Sequence, residues 1–157
     1  MSDIVRAVRK NNIKQVRELI QQGYDINKPD SNGDTALILA AYEGKNEILK
    51  LLLEASADVT VLDPGMKATA LHAAAYAGRT EAAKLLIEFN IDINKQGPYN
   101  GYTALHDAIW QNNIETAKVI IDAGADLNIK SKNGQTPLEM ARNLNRSEIV
   151  KLIEEKL

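Results

Sequence analysis

Two histidines and one aspartate are the residues of this sequence best suited to carry chemistry. His72 and His106 are 34 residues apart, and Asp107 directly follows His106. A histidine beside a carboxylate suggests general acid–base catalysis, and two histidines suggest a metal site. The spacing favours neither, because adjacent helical residues do not face each other and a histidine pair on one helix binds metal at a separation of about four. We therefore expect no metal site here.

Other catalytic and cofactor-binding patterns are missing from the sequence. It has no cysteine, which excludes a disulfide framework, a thiolate nucleophile and a cysteine-based metal site. It has no nucleophile elbow and no phosphate-binding motif, and QGPYNGY (96–102) lacks the lysine of a phosphate cradle. We expect no enzyme and no cofactor. One alternative stays open, a small enzyme or ligand-binding protein that uses a groove near His106, Asp107 and Trp110.

The interval of 34 residues belongs to an internal repeat, which points to a stacked architecture. Four blocks align without gaps, and their threonines are separated by 34, 34 and 33 residues. The blocks are DTALILAAYEG (34–44), ATALHAAAYAG (68–78), YTALHDAIWQN (102–112) and QTPLEMARNLN (135–145). A second phrase recurs as GYDIN (23–27), SADVT (56–60), NIDIN (90–94) and GADLN (124–128).

These phrases resemble the ankyrin repeat, whose signature is a T-P-L-H-x-A-A helix start, a glycine turn, a second helix with a Leu-Leu pair, and G-A-D-x-N. The resemblance implies an all-α solenoid of about five helix–turn–helix units with hairpin-like finger loops, and a role in binding proteins rather than in catalysis. It also implies that His72 and His106 link neighbouring loops by hydrogen bonds. The departures are Ala36, Ala70 and Ala104 for proline, Ile38 and Glu139 for histidine, and Ser56 for glycine.

We expect a single domain over residues 1–157, with caps at both ends because terminal repeats need a polar outer face. Residues 1–28 hold six Lys/Arg and three Asp/Glu, net +3, which leaves 13 minus 18, net −5, for the rest. This asymmetry of charge either steers an acidic partner to the first unit or only reflects the solvent-exposed face of a cap. The expected units are about 2–28 (N-terminal cap), 29–62, 63–95, 96–129 and 130–157 (C-terminal cap).

The residue types at the repeat positions predict how each unit folds. The threonines are expected to cap the first helices, and Gly or Asn to adopt the left-handed conformation after each helix. Ser56 breaks this rule and should be mildly strained. The first helices are rich in alanine and the second helices in larger residues, as in Leu52–Leu53. Each unit is therefore thinner on the side of its first helix, like a wedge. A stack of such units curves, with the concave face on the side of the first helices.

Aromatic residues give the strongest indication of a binding site. Tyr42, Tyr76 and Trp110 share one register, and Tyr42 lies about 140° around its helix from Leu37, away from the core. They either form a stripe that binds a partner or, for the tyrosines, only shield neighbouring helix ends. Asn143 and Leu144 extend the same register. The candidate partner-binding residues are Tyr42, Glu43, Met66, Tyr76, Tyr99, Tyr102, Trp110 and Gln111.

Composition narrows the kind of partner. The 157 residues are 45% hydrophobic with a net charge of −2, which suits one globular core and argues against general affinity for nucleic acid or acidic membranes. The first ten residues lack a signal-peptide pattern, and no apolar run is long enough to span a bilayer. We expect a monomeric cytoplasmic protein that binds a partner protein.

Overall fold

The computed structural model describes residues 3–157, and these fold into ten α-helices without a strand. The predicted all-α repeat solenoid is confirmed. Residues 1 and 2 lie outside the described residues, and the second of them opens the predicted first cap. The helices are α1 (Asp3–Arg9), α2 (Ile13–Gln21), α3 (Ala36–Glu43), α4 (Asn46–Glu54), α5 (Ala70–Ala77), α6 (Thr80–Glu88), α7 (Ala104–Gln111), α8 (Ile114–Asp122), α9 (Pro137–Asn143) and α10 (Ser147–Glu154).

Helices come in pairs joined by two or three residues, and each of the five expected intervals contains one pair. Within a pair the two helices pack on each other, and each helix also packs on its counterpart in the next pair. No observation tests the further expectation that the whole chain is one domain, which stays a prediction.

The first helices pack more closely against each other than the second helices do. This holds for α3, α5 and α7 in comparison with α4, α6 and α8. Alanines such as Ala74 and Ala108 are fully buried between the first helices, whereas Leu52, Leu86 and Ile120 fill the layer of second helices. Small side chains let backbones approach, so this packing agrees with the wedge argument, and the curvature of the row stays a prediction.

Left-handed residues end the helices where the repeat pattern predicts them. Asn112 follows α7 at φ 56°, and Ser56 after α4 adopts φ 66° although it is neither glycine nor asparagine. Lys67 is also left-handed, at φ 56°, which the sequence did not predict; it occupies a finger position that holds Gly33 and Gly101 in the neighbouring units. A residue with a Cβ is strained in this conformation, so Ser56 and Lys67 mark local departures from the repeat.

The threonine caps form in three of the four aligned blocks. Thr69, Thr103 and Thr136 each accept a hydrogen bond from the backbone N–H three residues later. The prediction is wrong for Thr35, which forms no cap bond and whose buried hydroxyl oxygen has no hydrogen-bond partner among the described residues. In the next two units the threonine hydroxyl also pairs with a histidine ring, and Ile38 offers the Thr35 hydroxyl no such partner.

Candidate functional site

The first helices and two finger loops enclose an open groove of about 660 Å³. We call it the aromatic groove, since Tyr42, Tyr76 and Trp110 line it from α3, α5 and α7. These side chains are 49%, 49% and 50% exposed. Met66 and Tyr99 line it from the fingers and are also exposed. The structure therefore brings together five of the eight candidate residues at an accessible surface.

The other three candidates occupy different positions. Tyr102 lines the aromatic groove but is partly buried, and its ring stacks on His106 with centroids 5.4 Å apart and an interplanar angle of 20°. Glu43 lies outside the lining and forms an ion pair with Lys45. Gln111 is exposed but also lies outside the lining. The role of all eight as partner contacts stays a prediction.

The backbone beneath each ring is fixed by a side chain of the next unit. Arg146 donates to the carbonyl oxygens of Ile109 and Trp110 at 3.0 and 2.7 Å. Asn113 does the same for the end of α5, donating to Tyr76. Because the last carbonyls of a helix have no intrahelical donor, these bonds cap the helix from outside it.

The arrangement recurs at each pair of units, with Arg79 donating to the carbonyl of Tyr42 at 3.0 Å and Lys45 donating to that of Val8 at 2.6 Å. These caps were not predicted from the sequence. A signal was present, because a polar residue follows the turn glycine or asparagine in every unit. The aromatic rings of Tyr42, Tyr76 and Trp110 are therefore attached to helix ends that hydrogen bonds from the next unit hold in place.

The finger of residues 63–68, here the Met66 finger, is closed by its own aspartate. The carboxylate of Asp63 accepts from the backbone N–H groups of Gly65, Met66 and Ala68 at 2.8 to 3.0 Å. A backbone bond from Asp63 to the carbonyl of Ala68 completes the loop at 2.9 Å. The carboxylate is thus fully engaged by the loop that presents Met66.

The finger of residues 96–102, here the Tyr99 finger, is held at both ends. Gly97 donates to the carbonyl of Tyr102 at 2.8 Å, and Tyr102 donates to the side-chain oxygen of Asn100 at 3.0 Å. The backbone N–H of Lys132 in the next finger donates to the carbonyl of Asn100 at 2.9 Å. Tyr99 is therefore presented by an ordered turn.

His72 links two loops, as the resemblance implied. Its Nδ1 accepts from the backbone N–H of Thr69 at 3.2 Å, and its Nε2 lies 2.9 Å from the carbonyl oxygen of Tyr102. A backbone N–H only donates and a carbonyl only accepts, so the ring is neutral with its proton on Nε2. Burial lowers the pKa of His72 below its usual value, which agrees with this neutral form.

His106 repeats the arrangement one unit later. Its Nδ1 accepts from Thr103 at 3.2 Å, and its Nε2 donates to the carbonyl of Gln135 at 3.2 Å. The ring is fully buried, and burial lowers its pKa. Neither ring nitrogen bonds to Asp107, so His106 and Asp107 do not form a hydrogen-bonded dyad.

Asp107 has no such partners. It is a partly buried residue that lines the aromatic groove, and its carboxyl forms no hydrogen bond or ion pair with another described residue. Burial raises the pKa of Asp107 to about 7. The same repeat position holds the apolar residues Leu39, Ala73 and Met140 in the other aligned units. A carboxyl with so little compensation is typical of a functional position.

A family model described as "Ankyrin repeats (3 copies)" matches residues 4–63 and 57–131, which is most of the chain. The chain belongs to the ankyrin repeat family. Ankyrin repeats are generally protein–protein interaction modules, and their repeated helix pairs and fingers account for the groove described above.

Individual relatives share the repeats over a limited stretch of this ankyrin repeat protein. The palmitoyltransferase Hip14 of Drosophila melanogaster is 39% identical over 67 residues, which are 43% of this chain and 10% of that protein. The mitochondrial disaggregases of Homo sapiens and Bos taurus are 37% and 35% identical over 60 residues, 38% of this chain and 8% and 9% of those proteins. Each match spans a tenth or less of the relative's length, so the likeness is one of repeats.

The basic first unit of this ankyrin repeat protein is partly engaged by its neighbour. Arg9 forms ion pairs with Asp34 at 2.8 Å and Asp30 at 3.3 Å, and Arg17 pairs with Glu47 at 3.1 Å. Two of its basic side chains thus act between units, which favours a structural over a steering role for them.

Residues 3–157 contain no group of three or more His, Asp or Glu side chains placed to hold a metal ion. None of the helices they form combines the length and the apolar character needed to cross a bilayer.

Proposed function

We propose that this ankyrin repeat protein is an interaction scaffold that binds a partner protein in the aromatic groove. The single observation that carries the proposal is the half-exposed row of Tyr42, Tyr76 and Trp110 above ordered helix ends. Tyr and Trp are enriched among residues that dominate binding energy, because they bury a large area at a small cost in conformational entropy. An exposed apolar patch of this kind typically marks an interaction site.

The fixed geometry of the groove supports tight binding. The helix ends are capped by the next unit, and the Met66 and Tyr99 fingers are closed by internal hydrogen bonds. A preformed site loses less entropy on association than a flexible one. The proposed contacts are Tyr42, Tyr76, Tyr99, Tyr102 and Trp110 as anchors, with Met66, Glu43 and Gln111 as neighbours.

Under this proposal the protein acts as a cytoplasmic monomer on another protein, as an inhibitor or a regulatory subunit, and binds neither nucleic acid nor membrane. The alternative of an enzyme near His106, Asp107 and Trp110 receives no support from the hydrogen bonds. Both ring nitrogens of His106 are engaged by Thr103 and Gln135, so the histidine has no free nitrogen for a substrate.

The test is affinity capture from the native host with the wild-type chain and with Trp110→Ala and Tyr76→Ala. Leu62→Ala is the matched control, because Leu62 is exposed and apolar but lies outside the lining of the aromatic groove. We expect a protein retained by the wild type and by Leu62→Ala but lost with both groove variants. Equal capture by all four proteins would refute the groove as the binding site.

A further inference from the structure

The charges along the aromatic groove are unbalanced. Among the described residues that line it, none is lysine or arginine, and the two carboxyl groups belong to Asp63 and Asp107. Asp63 is engaged by the backbone of the Met66 finger. Asp107 lies in the groove without any partner among the described residues. Among its described lining residues, the groove therefore has one uncompensated acid and no cation.

The fold gives no reason for a carboxyl at position 107. Ala73 and Met140 serve at the same point of the neighbouring units, so packing there requires no charge. A partly buried carboxyl without hydrogen bonds costs stability. A residue that departs from the repeat pattern and lowers stability in doing so is expected at a binding site.

The neighbouring rings favour a cation beside this carboxyl. Trp110 lies three residues after Asp107 on α7, so the two side chains are neighbours on one helix surface. The half-exposed ring of Tyr76 lines the same groove from α5, and Tyr99 lines it from the finger. The face of an aromatic ring attracts positive charge, most strongly for tryptophan. The carboxyl and the rings thus favour the same kind of occupant.

We propose that the aromatic groove takes an arginine side chain of the partner protein, with its guanidinium paired to the Asp107 carboxylate and stacked on the indole of Trp110. The inference rests on the proposed function and names the chemistry of the partner. Arginine fits better than lysine, because its planar guanidinium pairs with a carboxylate through two parallel hydrogen bonds while its face stacks on an aromatic ring.

The protonation of Asp107 gives a second readout. Its pKa of about 7 leaves it partly protonated at neutral pH, and arginine binds the ionised form. Arginine binding should therefore strengthen as the pH rises from about 6 to about 8. The other titratable groups that line the groove are the engaged Asp63, the neutral buried His72 and the tyrosine hydroxyls. A pH dependence abolished by Asp107→Asn would identify its source.

The experiment selects a phage-displayed library of random peptides against the full chain. The targets are the wild type, Asp107→Asn, Trp110→Ala and the matched control Glu115→Gln, which removes one exposed acid of the same unit outside the groove. We expect arginine-enriched peptides from the wild type and Glu115→Gln and no enrichment from Asp107→Asn. Replacing that arginine by the neutral isostere citrulline should weaken binding about tenfold to the wild type and far less to Asp107→Asn.

The outcomes separate this inference from the proposed function. Peptides that require Trp110 but show no arginine enrichment overturn the inference and leave the scaffold proposal standing. Lysine enrichment in place of arginine overturns the assignment of the guanidinium. Peptide binding that Trp110→Ala does not reduce overturns both proposals.

Discussion

The two sides of helix α7 differ in whether their polar side chains are hydrogen-bonded within the protein. On the side of the fingers, His106 is fully buried and both its ring nitrogens are bonded to the backbone of neighbouring loops. On the side of the groove, the next residue, Asp107, has no partner among the described residues, and Trp110 is 50% exposed. Polar groups that hold the fold together have hydrogen-bond partners within it. Polar groups without such partners at an ordered surface are available to bind another protein.

The largest expected effect is on the side of the fingers. His106→Ala should lower the free energy of unfolding by about 3 kcal/mol, because it leaves a cavity and removes the partners of the Thr103 N–H and the Gln135 carbonyl. Chemical denaturation measures it, with Gln111→Ala as the exposed control on the same helix. A loss below about 1 kcal/mol would mean that the histidine is not a structural link.

The next largest effect concerns the groove side of α7, where the stability of the protein should depend on pH through Asp107. Asp107→Asn should be more stable than the wild type at pH 8. Burial raises the pKa of Asp107 from 3.8 to about 7, which corresponds to about 4 kcal/mol, and the asparagine amide keeps part of the burial cost, so we expect a gain of roughly 1 to 3 kcal/mol. Because the pKa of Asp107 is higher in the folded than in the unfolded protein, its contribution to the stability of the wild type is full below pH 3.8. That contribution is lost as the pH rises through about 7. The advantage of the variant should therefore vanish toward pH 4.

Denaturation curves of Asp107→Asn and of the control Glu115→Gln across this pH range measure the difference. The histidines act in the opposite direction, because their lowered pKa values reduce stability as the pH falls below about 6.5. Both proteins retain them, so their effect cancels in the comparison. An Asp107→Asn protein less stable than the wild type at pH 8 would show that the carboxylate is compensated after all.

A smaller effect comes from restoring the histidine link where it is missing. Ile38→His should raise the free energy of unfolding by about 1 kcal/mol, because the ring would bond the orphaned Thr35 hydroxyl and reach toward the carbonyl of Ala68. Thermal unfolding measures the gain. The matched control is the same change in a Thr35→Ala background, where most of the gain should disappear. An equal gain in both backgrounds would argue against the proposed hydrogen bond.

The smallest effect concerns the left-handed turn after α4. Ser56→Gly should leave stability unchanged or raise it by up to about 1 kcal/mol, since Ser56 holds φ 66° with a Cβ and its counterparts include Gly23 and Gly124. The melting temperature is the readout. A clear decrease would mean that the serine side chain contributes something that the repeat pattern does not predict.

Much of the fold could be predicted because the repeat encodes it locally. Thr69 and Thr103 cap their helices, and Gly or Asn is left-handed after each helix from α1 to α9 except α4, because these preferences depend on neighbours in sequence. Exposure of the rings also followed from helical periodicity. Thr35 is the exception, because it forms no cap bond and Ile38 offers its hydroxyl none of the ring contact that His72 and His106 give their threonines.

What could not be predicted depends on side chains from other units. The caps by Arg79 and Asn113 join residues more than 30 positions apart, and periodicity does not tell which rotamers reach across. The stacking of Tyr102 on His106 and the isolation of Asp107 likewise follow from tertiary burial. In the sequence Asp107 stood out only beside His106, and the repeat pattern does not tell that its carboxyl lacks a partner.

The most direct test of the contrast between the two sides of α7 is Trp110→Ala, followed by binding and unfolding on the same sample. We expect partner capture to be lost, while the free energy of unfolding stays within about 0.5 kcal/mol of wild type, because the ring is half exposed. Capture at the wild-type level, or destabilisation above about 2 kcal/mol, would contradict the assignment of this side to binding.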